Sequence, residues 1–170
     1  MITSKPSKSS NQFKFKKDLY TKVISDMDVS QISKMDFGLW SFIQKTVLDG
    51  IWFWDVEEPE NLYLSPEYWR SIGYEPGEKP NRPDSFQEVC HPDDLPVITE
   101  ALKKHFKNPA YPYNLNARLF HKNGHLIYIR CRGKALRNKD GRAIKMFGAH
   151  IIITEEQFKQ EAGLSISINR

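Results

Sequence analysis

The sequence predicts an α+β domain: a five-stranded antiparallel sheet with its helices grouped between the second and third strands, preceded by a helical extension. Three observations carry this. Turns bearing Asn123-Gly124 and Asp140-Gly141 separate three strand-like runs in the C-terminal half, and Asn-Gly and Asp-Gly suit tight hairpins. Two shorter strand-like runs, residues 51–55 and 61–64, flank an acidic, Pro-containing turn. Between the two groups stand helix-start signals, Ser65-Pro66-Glu67 and His91-Pro92-Asp93-Asp94.

Residues 1–12 are polar and aperiodic, and such a segment cannot offset its ordering entropy, so a disordered tail is expected. Leu19, Val23, Ile24 and Met27 recur at three- and four-residue steps, which predicts an amphipathic helix needing a surface, either the domain or a second copy of the chain. Asp36 then precedes Phe37, Leu39, Trp40, Phe42, Ile43 and Val47, a second helical pattern ending before Asp49-Gly50. The expected organisation is a helical extension over 13–47, a domain over 48–156 and a tail over 157–170.

Within the domain, Ser65 as N-cap and Pro66 at the first position open a short helix that Gly73 ends. Three prolines and a glycine make residues 75–85 a loop. Pro92, Asp93 and Asp94 suit unpaired helix N–H groups, so a helix of about four turns runs to Lys107, with Ile98, Ala101, Leu102, His105 and Phe106 on its apolar face. Asn108-Pro109 stops it. The strands over 115–121, 125–137 and 143–153 form a meander. In the middle one, Ile127, Ile129, Cys131 and Ala135 share one face, and Tyr128, Arg130, Arg132 and Lys134 the other.

The composition narrows the function. The 170 residues suit one core, and no run approaches the roughly 20 apolar residues that span a bilayer. Cys90 and Cys131 cannot build a four-Cys zinc site, and with one possible bridge the expectation is reduced thiols in a cytoplasmic protein. Net charge alternates along the chain: +4 over residues 1–35, −10 over 36–100, +11 over 101–153 and −1 beyond. Self-neutralisation within one fold is favoured over an acidic partner. No G-x-S-x-G, H-E-x-x-H, P-loop or G-x-G-x-x-G occurs, so an enzyme is not expected.

Several ordered motifs resemble the PAS family, in particular the subgroup found in bacterial sensor kinases and diguanylate cyclases. Gly50-Ile51-Trp52-Phe53-Trp54-Asp55 is similar to that subgroup's first strand, and Tyr63-Leu64-Ser65-Pro66-Glu67-Tyr68-Trp69 with Ile72-Gly73-Tyr74 to its second strand and first helix. Val89-Cys90-His91-Pro92-Asp93-Asp94-Leu95 resembles the start of its longer helix. Arg118, Lys122-Asn123-Gly124, Arg132-Gly133, Asp140-Gly141 and Gly148 resemble the landmarks of its meander. The resemblance spans about 110 of 170 residues.

The chain departs from the family at the exit from the last strand, where an Asp is usual and this sequence reads Ile152-Ile153-Thr154. Residues 157–170 carry no heptads and contain Gly163, so no long rigid helix is expected there. If the chain is complete, its signal leaves through binding.

The resemblance implies a non-enzymatic sensory domain with a pocket between helices and sheet, for a small ligand or a protein partner. Its candidate lining is Trp54, Trp69, Ile98, Leu102, His105, Ile127, Ile129 and Phe147. Trp52, Tyr68 and Phe86 are further aromatics able to stack on a flat ligand, although core packing is their simpler role. The cofactor is unknown. Haem through His105 is weighed and set below a histidine satisfied by a hydrogen bond at the helix C-terminus. Flavin photochemistry is disfavoured because residues 65–74 hold no Cys. His91, Asp93 and Asp94 read as a helix start rather than a metal cluster. Tyr128, Arg130, Arg132 and Lys134 are the candidate partner face. The alternatives are a dimerising adaptor whose pocket its own side chains fill, and, behind it, a single-stranded nucleic-acid binder using the basic meander. A homodimer is the expected assembly, with a possible signalling partner and no membrane contact.

Overall fold

A computed structural model describes residues 41–167, with side chains to residue 161. The predicted disordered tail, the helix over 13–34 and the start of the second helix lie outside the described residues. The described residues belong to two units, one ending at Leu48 and one beginning at Asp49. Of the first, the structure shows one short π-type helix, α1 (Ile43–Val47), closed by Leu48 N–H donating to Ile43 O.

The second unit contains β1 (Gly50–Asp55), β2 (Leu62–Leu64), α2 (Pro66–Ser71), α3 (Pro83–Val89), α4 (Asp94–Lys107), β3 (Tyr113–Phe120), β4 (Leu126–Arg137), β5 (Ala143–Ile153) and α5 (Glu155–Ser167). The strands form one antiparallel sheet in the order β2-β1-β5-β4-β3, as the turn chemistry predicts. Ser65 caps α2, its Oγ accepting from Tyr68 N at 3.2 Å, and Pro66 occupies the first turn. The loop expected over 75–85 is shorter than predicted, because Pro83 opens α3.

One element carries a bond the sequence did not show, and one differs from expectation. α4 starts at Asp94, one turn position after Pro92-Asp93, and neither carboxylate caps it. Asp94 instead accepts from Arg118 Nη2 at 2.6 Å, Arg118 Nε at 3.0 Å and Arg118 N at 2.7 Å. Asp94, a first-turn acid as read from the sequence, is also a long-range anchor joining α4 to β3. The C-terminal segment also forms a helix, α5, in place of the expected tail. Thr154 Oγ1 accepts from Gln157 N and Gln157 Oε1 from Thr154 N, both at 3.1 Å. This reciprocal capping box gives the chain a defined helix start immediately after β5.

The charge segregation is met in part within the fold. Besides Asp94–Arg118, the acidic first half meets the basic meander through Asp55–Lys145, Glu57–Arg142 and Glu78–Lys122. Among the described residues no helix is long and apolar enough to cross a membrane.

The inner sheet face and the helices share two apolar clusters. One centres on Tyr68, Ile72, Leu119 and Ile129, the other on Tyr113, Ala135 and Met146, and Trp52, Leu102, Leu115 and Cys131 touch both. Trp52 lies flat on the sheet because Gly148 and Gly133 leave it room. A Cβ on Gly148 would stand 2.3 Å from Trp52 Cζ2 and 2.2 Å from Arg132 O, and one on Gly133 2.7 Å from Trp52 Cη2.

Because the Asp94 side chain is largely buried and Arg118 three-quarters buried, removing one partner strands the other's charge. Asp94→Asn should therefore lower unfolding free energy by about 2–3 kcal/mol in urea titrations, with the m-value unchanged.

Candidate functional site

The space between the two clusters is a cavity of about 340 Å³ enclosed by α2, α3, α4 and the inner sheet face. Its walls are carbon: Trp52 and Trp54 from β1, Leu102 and Phe106 from α4, and Leu115 and Ala117 from β3 are among them. Gln87 on α3 and Thr99 and Lys103 on α4 are its exposed polar lining residues and mark its mouth.

α4 spans this cavity without closing it because polar bonds hold both helix ends. Asp94 fixes the N-terminal end to Arg118. At the other end His105 Nε2 accepts from Ala135 N at 3.1 Å, so its proton sits on Nδ1, which donates to Tyr111 O at 2.5 Å. Arg137 adds bonds to the carbonyl oxygens of His105 and Phe106, at 2.5 and 2.9 Å, where a cation also suits the helix dipole.

The structure sorts the residues expected to line the pocket. Trp54, Ile98, Leu102 and Ile129 line it. Trp69 does not: its Nε1 donates to Asn81 Oδ1 at 2.9 Å and its ring packs edge-on against Tyr68 and Tyr74. Ile127 packs on the same side of the sheet, against the first cluster, away from the lining. His105 is buried with both ring nitrogens committed to backbone groups, so it offers no free lone pair for haem iron. Phe147 faces the other way. Its register opposite Lys134 and Phe53 sets it on the outer face.

That outer face also differs from the partner surface expected of it. The Tyr128 ring meets Phe158 of α5 at 5.2 Å, and Arg130, 4% exposed on its side chain, pairs with Glu161 of α5. Arg132 Nε donates to Asn114 Oδ1 at 3.0 Å, and Lys134 is exposed. Among the described residues no cluster of three His, Cys, Asp or Glu has the geometry to hold a metal.

Sequence reasoning missed the buried polar groups behind the cavity wall. Tyr68 OH and His150 Nδ1 are buried without hydrogen-bond partners and Trp52 Nε1–H has the Cys131 sulfur as a weak acceptor, and all three residues belong to its lining through their other atoms. Ser71 Oγ donates to Tyr68 O at 2.8 Å and lies 3.2 Å from His150 Nε2. With its hydrogen so used, Ser71 accepts from Nε2–H, and the bare lone pair of His150 is on Nδ1. Burial sets every charge state here. It pushes the Tyr68 and Tyr113 hydroxyls well above their ordinary range and the Cys131 thiol up to about 12. It lowers His150 to about 4, with the more distant Asp49 pulling weakly the other way.

Among known proteins, a family model described as the PAS fold matches residues 61–150. The chain belongs to the PAS family. A sensory box histidine kinase/response regulator from Burkholderia thailandensis is 31% identical, with 71% of this chain and 87% of that chain covered and a TM-score of 0.55. The N-terminal PAS/PAC sensor domain of a diguanylate cyclase from Marinobacter aquaeolei has the same fold at 18% identity, with 64% and 97% covered and a TM-score of 0.54. A light-oxygen-voltage domain studied with a flavin analogue does so at 22% identity, with 80% and 98% covered and a TM-score of 0.58. No curated protein matches the chain. As a PAS domain, the chain belongs to a family typical of signal transduction.

The depressed His150 pKa carries a stability signature. The folded state holds His150 neutral down to about 4, whereas the unfolded chain protonates it near 6.5. Its contribution is therefore fully present above pH 6.5 and is lost as pH falls from there toward 4, to about 3 kcal/mol in total. Urea midpoints measured between pH 7 and pH 4 should fall along that course, and His150→Gln should flatten it.

Proposed function

We propose that this PAS domain is a non-enzymatic sensor that takes up a small molecule in the cavity beneath α4 and reports its presence to a signalling partner. The cavity is the observation that supports this reading. An apolar space of 340 Å³ has the size of roughly ten waters, yet a bound water needs two to four polar partners and the lining supplies few. The adaptor reading, in which side chains fill the pocket, is less well supported for the same reason.

The route outward is the sheet. Cys131 and His150, which line the cavity, are cross-strand partners, and their β4 and β5 neighbours Arg130 and Ile151 point to the opposite face. α5 is docked there through Tyr128 and Arg130. A ligand that shifts the inner face thus acts on the seat of a helix that leaves the domain. In this reading α5, a segment where the sequence led us to expect no long rigid helix, responds together with the outer face.

Native mass spectrometry of freshly purified protein should show a non-covalent adduct, or a saturable one after exposure to a metabolite extract. Leu102→Trp, which fills the cavity from α4, should abolish it while circular dichroism stays native. An adduct that survives in the folded variant would place the ligand elsewhere.

A further inference from the structure

The sheet ends at β3, and only half of that edge is paired. Alternate residues of β3 point their backbone N–H and C=O away from β4, and Arg118 is one of them: its N–H donates to Asp94 Oδ2, and its carbonyl accepts from His91 N at 3.0 Å. An unbroken register places Arg118 opposite Tyr128, Asn116 opposite Arg130 and Asn114 opposite Arg132, so both asparagines also direct their backbone groups outward. Among the described residues nothing pairs with those groups. Such an edge is ordinarily guarded by charge, proline or a bulge. Tyr113-Asn114-Leu115-Asn116-Ala117 has none of these.

The open half of the edge is the floor of a groove of about 790 Å³, walled by Val97, Glu100, Ala101 and Lys104 of α4 and by Phe158 and Glu161 of α5. Val97 is 54% exposed and Tyr111, which also lines the groove, 40%, apolar surface that an occupant would cover. A floor of backbone groups between two walls suits one extended chain, whose own backbone pairs with the floor while alternate side chains meet the walls. The β3 edge of a second copy lies between the same walls and is too recessed to reach it.

The protein carries such a segment at the right place. Glu161 Oε2 accepts from Asn116 Nδ2 at 2.8 Å, so α5 brings the chain to the open edge, and the residues that follow are Ala162-Gly163-Leu164-Ser165-Ile166-Ser167-Ile168-Asn169. From Leu164 onward apolar and polar residues alternate, the period of a half-buried strand. α5 continues to Ser167, yet its last turns suit a helix poorly. Gly163 is the weakest helix former short of proline, and Leu164 and Ile166 stand roughly 200° apart around a helix, whereas a strand sets Leu164, Ile166 and Ile168 on one face. We propose that residues 164–169 add to the open edge of β3 as a sixth, antiparallel strand of the same chain, in exchange for the last turns of α5, while Phe158 and Glu161 stay docked. Ala162 and Gly163 make the turn, spanning up to about 7 Å. With Ser165 opposite Asn116 and Ser167 opposite Asn114, both outward backbone pairs are matched, the serines lie beside the asparagines, and the apolar residues face Leu115 and the α4 wall. This pairing does not depend on what the cavity binds.

NMR of the full chain tests this. In that register Ile166 and Leu115 form a pair without mutual hydrogen bonds, which brings their α-protons together, so an Hα–Hα NOE between them is expected, with extended ¹³Cα shifts over residues 164–168. Removing residues 164–170 should speed amide exchange at Asn114 and Asn116 about tenfold or more, with Arg118 N–H, held by Asp94, unchanged. Ser167→Pro keeps the chain length but deletes the N–H that would meet Asn114 O, and should open the edge at Asn114 in the same way. Helical shifts through Ser167, exchange at Asn114 and Asn116 that neither change alters, or an NOE seen only between differently labelled chains of a mixed sample would each overturn the proposal, the last by making a second copy the donor of the strand.

Discussion

The geometry of this domain depends on α4 being tied at both ends and apolar in between. Asp94 joins its first turn to Arg118, and His105 with Arg137 joins its last turn to the meander and the loop before it. These bonds set the height of the helix above the sheet, and a helix so fixed cannot settle onto the sheet to fill space with Leu102 and Ile98. The cavity is thus the consequence of polar anchoring rather than of poor packing. His105 illustrates the distinction: a histidine on the pocket side of the long helix is spent on backbone groups, and its contribution to ligand binding is the frame it holds.

The floor is made by the opposite means, the removal of side chains. Gly148 and Gly133 let the Trp52 indole lie against the strands, and Trp52 lines the cavity. Trp52 touches both apolar clusters, so one residue both stabilises the core and shapes the site. Such sharing has a cost: Tyr68 OH and His150 Nδ1 are buried without partners, and Trp52 Nε1 has the Cys131 sulfur as a weak acceptor.

What was legible in the sequence was what depends on local chemistry. Turns with Asn-Gly and Asp-Gly, the Ser65-Pro66 helix start and the stop at Asn108-Pro109 placed most elements, and ordered motifs placed the family. Asp94 stands in the first turn of α4 as read from the sequence, but its bond to Arg118, 24 residues away, was not legible because a carboxylate at a helix start looks alike with or without such a partner. Phe147 was put on the wrong face because β5 is apolar on both sides, with Met146 and Ile152 inward and Phe147, Ala149 and Ile151 outward, so a period of two has no contrast to read. α5 was discounted on account of Gly163, although Thr154 and Gln157 stand at capping-box spacing and were readable. The unmatched polar atoms could not be read at all, since satisfaction is a property of neighbours distant in sequence.

The central claim is that the anchored helix holds an apolar cavity open in solution. Methyl and indole NMR spectra recorded under xenon pressure test it directly, since xenon enters dry apolar cavities and ignores polar ones. The account predicts saturable shifts confined to the lining, at Trp52, Ile98, Leu102 and Leu115, with outer-face residues such as Ile151 unmoved. Small shifts that rise linearly with pressure across the whole domain would show that α4 has collapsed onto the sheet, and would contradict it.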